Sequence, residues 1–95
     1  MNALDVPEAV ILDKDAVELV RIWASSETIL MSLRGHLWND PAAWGLLLAD
    51  LARHAAHTYF EAGRNEDDAL QRIIAGMTAE LSSPTDHPRP AEPPH

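Results

Sequence analysis

Cysteine is absent from the 95 residues, which removes disulfides, thiolate metal sites and thiol nucleophiles together. Cations are scarce: seven Lys and Arg stand against fifteen Asp and Glu, for a formal charge of −8. Nucleic-acid affinity depends on neutralising phosphates with Lys and Arg, so no nucleic-acid partner is expected. Long apolar runs are also missing. The longest, Ala42 to Ala49, is far shorter than the roughly 20 residues that span a bilayer, so no membrane partner is expected. The opening MNALDVPEAVILDKD lacks a basic n-region and is broken by charge, so it does not read as a secretory signal. Without cysteine or such a signal, the expected location is the cytoplasm.

What is present fits one small domain. Residues 1–16 form an N-terminal segment that is an extra strand or a short helix, residues 17–83 an α+β domain, and residues 84–95 a tail. In the tail, PTDHPRPAEPPH offers five prolines and no large apolar side chain. It cannot offset the entropy of being ordered and is expected to be disordered. Ser83 to Asp86 are expected to lie against the fold before order is lost.

Two runs rich in β-branched and apolar residues, VELVRIWA (17–24) and TILMSLRG (28–35), flank the polar break SSE and suggest a β-hairpin. In the second run Ile29, Met31 and Leu33 alternate with Thr28, Leu30 and Ser32, giving one apolar face. The first run also fits a helical stripe through Ala9, Leu12, Ala16, Leu19, Val20 and Trp23, so an amphipathic helix over 7–24 stays open as the alternative.

The stretch DPAAWGLLLADLARHAAHTYFEAG (40–63) predicts a helix more firmly. Asn39 or Asp40 can cap, Pro41 suits the first helical position, and Gly63 can take the left-handed conformation that stops it. Its apolar side is expected to be Trp44, Leu47, Leu48, Leu51, Ala55, Thr58, Tyr59 and Ala62. A second helix starts at the cap residue Asn65, with Glu66, Asp67 and Asp68 complementing its positive end. Its stripe is Leu70, Ile73, Ile74, Met77 and Leu81. The expected architecture is α+β: a small antiparallel hairpin, or a three-stranded sheet if AVIL (9–12) adds a strand, followed by two helices packed on one face. Two strands alone are marginal in water, so a homodimer or another protein partner is expected to complete the core.

The segments ELVRIWA, MSLRG, DPAAWGLLLADLARHAAHTYFEAG and SPTD together resemble a small bacterial domain-of-unknown-function family marked by the block DPAAWGLLLADLARH and a terminal PTD. The resemblance runs from about Glu18 to Asp86. It implies no assigned activity, ligand or catalytic residue.

Candidate chemistry is confined to three groups. Asp50, His54, His57 and Glu61 are spaced four, three and four apart, and therefore project from one narrow helical face. Imidazoles flanked by carboxylates suit a divalent metal, yet the pattern is not HExxH. The plainer reading is a solvated edge of Asp50–His54 and His57–Glu61 pairs. Arg21, Arg34 and Arg53 would bind an anion if they converged, through their rigid donor forks; pairing with nearby acids is the plainer reading. Of the three tryptophans, Trp23 and Trp44 suit the core and Trp38, in the loop GHLWND, suits an interface. The serines lack a GxSxG turn and the glycines form no phosphate-cradling loop. No catalytic residue and no cofactor are expected. The sequence therefore favours a non-catalytic interaction or dimerisation module, with a ligand- or metal-binding protein as the alternative.

Overall fold

The computed structural model describes residues 3–85, so most of the proposed tail, 86–95, lies outside the described residues. The order is α1 (Glu8–Leu12), β1 (Val20–Ala24), β2 (Ile29–Leu33), α2 (Ala42–Glu61) and α3 (Glu66–Ser82): an antiparallel hairpin followed by two helices, an α+β arrangement. The contacts divide the chain into two compact units between Leu37 and Trp38.

In the first unit, Pro7 opens α1 by accepting the N–H groups of Val10 and Ile11 at 3.0 and 3.3 Å. After the five residues of α1, Asp13 turns extended, and its carboxylate accepts the N–H of Asp15 at 2.9 Å. Asp here gives the backbone a turn in place of another helical bond. The segment AVIL is thus helical, the third strand does not form, and the sheet has two strands. The longer helix over 7–24 does not form either, because beyond the aspartate turn Val20 and Ile22 pair in a ladder suited to β-branched side chains. The strands are shorter than the runs that announced them.

Ser25 closes the hairpin. Its N–H and hydroxyl both donate to the Thr28 carbonyl at 2.8 Å, and its Oγ accepts from Thr28 N–H at 3.1 Å. The register sets Val20 opposite Leu33, Ile22 opposite Met31 and Ala24 opposite Ile29. Side chains alternate across a pleated strand, so these six residues share one face, and that face is wholly apolar. The other face carries Arg21 opposite Ser32 and Trp23 opposite Leu30. Arg34 N–H donates to the Leu19 carbonyl at 2.9 Å, which extends this mixed face by one more rung. No described residue of this unit is buried.

The second unit is a pair of packed helices. Asp40 Oδ1 accepts the Ala42 N–H at 2.9 Å, and Pro41 has near-helical angles, φ −56°, so the start lies where the sequence placed it. Trp38 meets Trp44 edge-to-face, with centroids 5.3 Å apart. At the other end Gly63 takes φ 93°. Its N–H donates to Phe60 and that of Arg64 to Tyr59, both at 2.9 Å. These two bonds form a Schellman ending, which requires the left-handed residue that glycine supplies most cheaply. The Arg64 guanidinium lies over the Tyr59 ring at 5.0 Å. Asn65 Oδ1 then accepts from Asp68 N–H at 2.9 Å, which starts α3. Past its end, Thr85 donates from N–H and hydroxyl to the Glu80 carboxylate at 2.7–3.0 Å, so this part of the tail does lie back on α3.

The seam between the helices differs from the expected apolar side. Its buried residues are Ala52 and Ala56 on α2 and Ala69 on α3. Trp44, Leu47 and Ala55 are half-buried, while Leu48, Leu51 and Tyr59 stay exposed. Small side chains let two helix backbones approach, and periodicity alone cannot say which edge of a broad apolar arc receives the neighbour. Trp23 also departs from expectation: it is exposed on the hairpin rather than in a core.

Candidate functional site

The central helix places Asp50, His54, His57 and Glu61 along one exposed edge, and local spacing decides their contacts. His54 Nε2 stands 4.0 Å from Asp50 and His57 Nε2 3.9 Å from Glu61. Each is a separate i,i+4 pair. His57 has a shorter partner, the Glu66 carboxylate at 3.1 Å from Nδ1, and its ring stacks on Phe60. Because the Gly63 turn folds α3 back, Glu66 reaches the last turns of α2. The Glu66 hydrogen bond holds the His57 pKa above its ordinary value; desolvation opposes this, and the charges of Glu66 and Glu61 reinforce it. Sequence reasoning used Glu66 only as a helix-start acid and missed this pairing across nine residues. Among the described residues no group of three or more His, Asp or Glu is arranged to hold a metal ion.

The hairpin mouth gathers a second set. Arg21 Nε meets the Glu18 carboxylate at 2.7 Å, a pairing three residues apart. This hydrogen bond, aided by the carboxylate charge, raises the Arg21 pKa further. Arg34 Nε donates instead to the main-chain carbonyl of Glu18 at 2.8 Å. Both arginines line one open cavity of about 310 Å³, together with Glu18, Leu19 and Ser32. The structure thus brings Arg21 and Arg34 together, with Glu18 as an anchor the sequence reading did not single out. Arg53 lies on α2, in the second unit. Trp38 is half-buried beside Trp44.

A family model for a domain of unknown function, DUF5076, matches residues 3–85. The chain belongs to this family. The match takes in the hairpin, both long helices and the arginine and histidine groups of this DUF5076 domain. A solved structure from the photosynthetic bacterium Rhodopseudomonas palustrus CGA009, of a protein provisionally assigned as a pyruvate dehydrogenase, is similar. It is 36% identical, covers 97% of this chain and 95% of its own, and superposes with a TM-score of 0.77. No curated protein matches. Among the described residues, no helix of the DUF5076 domain is long and apolar enough to cross a membrane.

Proposed function

We propose that this DUF5076 chain is a non-catalytic, cytoplasmic self-association module in which a second copy covers the apolar face of the hairpin. The observation that carries this reading is the face itself. Val20, Ile22, Ala24, Ile29, Met31 and Leu33 present no polar side chain, and Ile22, Ile29, Met31 and Leu33 remain 43–56% exposed.

Apolar surface left in water costs about 25 cal/mol per Å² relative to its burial, which drives such a face towards a cover. A second copy suits it for three reasons. The face is free of charge, so two chains of −8 meet there without opposing like charges. Twofold symmetry lets one patch meet itself. Two strands alone are marginal in water, and no described residue of this unit is buried, so a second copy completes a core that the hairpin lacks. The activity named for the Rhodopseudomonas protein belongs to that protein; the present reading rests on this hairpin.

Light scattering on the purified chain is expected to give twice its 10.5 kDa mass at micromolar concentration, and Met31→Lys to return it to one chain. A wild-type protein that is monomeric, folded and stable at that concentration overturns the proposal.

A further inference from the structure

We propose that Arg21 and Arg34, with Ser32 beside them, form a binding site for a single carboxylate group on the mixed face of the hairpin. The site is independent of self-association, since it occupies the face opposite the apolar one.

Three observations converge. Arg34 has no carboxylate partner among the described residues, in a chain where acids outnumber cations by fifteen to seven; its Nε is held by a main-chain carbonyl. Arg21 is likewise fixed through Nε, by Glu18. A guanidinium carries five N–H donors in a rigid fork, so anchoring at Nε restrains each group while leaving its terminal amino groups for a ligand. Thirdly, the register puts Arg21 opposite Ser32, and Arg34 two residues on from Ser32 along the same face, beside the cavity of about 310 Å³. That volume is at the lower end of the range for small-molecule sites, roughly 300–1,000 Å³.

Charge selects the ligand. Two arginines and the Glu18 carboxylate leave one net positive charge, which matches a monoanion. A phosphate dianion would be left partly uncompensated beside Glu18, in a protein whose overall charge already repels it. A carboxylate also matches the planar two-donor geometry of an arginine fork. Leu19, opposite Arg34 on this face, lines the same cavity and offers contact to a short apolar substituent. The carboxylate could belong to a small aliphatic acid or to an acidic side chain of a peptide; the two share the recognising chemistry.

The test follows the arginine Nε–H signals by NMR while acetate, butyrate, a glutamate-containing peptide, phosphate or chloride is added at matched ionic strength. Saturable shifts at Arg21 and Arg34 are expected with the carboxylates and not with chloride. Tighter binding of butyrate assigns the small acid as ligand, and tighter binding of the peptide assigns the side chain. Arg34→Lys keeps the charge and loses the fork, and is expected to weaken binding about tenfold, the equivalent of one charge-assisted hydrogen bond. Glu18→Gln gives an independent arm should Arg34→Lys unfold: it removes the competing carboxylate and is expected to admit phosphate. Carboxylate shifts no larger than those from chloride, or affinities for acetate and phosphate that are unchanged by Glu18→Gln, overturn the proposal.

Discussion

The helix pair and the hairpin both close their ends with local hydrogen bonds, yet they differ in what they bury. Helix α2 begins on Asp40 and ends on the Gly63 turn, α3 begins on Asn65, and between them Ala52, Ala56 and Ala69 are out of water. The hairpin has a closed turn and five paired rungs but contains no buried residue. Hydrogen bonding alone contributes little net free energy because water offers the same bonds to the open chain. Burial provides most of the driving force. The helix pair therefore holds part of its own core, whereas the hairpin holds half of one.

That contrast is easiest to break at the hairpin. Met31→Lys sets an ammonium in the apolar face, and a buried unpaired charge costs several kcal/mol, so self-association should weaken about a hundredfold or more in sedimentation analysis. The helical circular dichroism of the monomer should stay unchanged. Ala56→Leu makes the opposite change. Ala56 is fully buried in the seam, and overpacking there should cost about 1–3 kcal/mol in denaturant melts. A neutral result would mean that the seam is loose and the two regions are alike.

Smaller effects test how each helix end is held. Gly63→Ala meets no neighbour within 4 Å but must keep φ near 93°, so it should cost about 1–2 kcal/mol through backbone strain alone. His57 gives the smallest. Its folded-state pKa is raised by Glu66, so the contribution is fully present below the ordinary value of 6.5 and fades as pH rises through the raised one. Thermal stability should therefore fall slightly from about pH 6.5 upward. Glu66→Gln should flatten that slope, and a slope unchanged in this variant would remove Glu66 as its cause.

Much of the fold was legible because it is encoded locally. Asp40, Pro41, Gly63 and Asn65 act within a few residues of themselves, and the alternation of Ile29, Met31 and Leu33 specifies a face whatever lies beyond it. The segment from 7 to 24 was legible only in part: its apolar residues fit two periods, and the Asp13 turn decides between them. The candidate sites follow the same division. The Asp50–His54 and His57–Glu61 contacts repeat the helical spacing. The bond from His57 to Glu66 and the link from Arg34 to Glu18 join residues nine and sixteen apart, and spacing along one element carries no information about either.

The sequence by itself determined where α2 starts and stops and where α3 starts, which strand face is apolar and how few cations the chain carries, since each depends on neighbouring residues or on composition. Tertiary structure decided which alanines form the seam, that Glu66 turns back to His57, and that Arg21 and Arg34 share Glu18. These outcomes depend on how closely two elements approach, and that distance is set by side-chain shape across the contact rather than by the pattern along either chain segment.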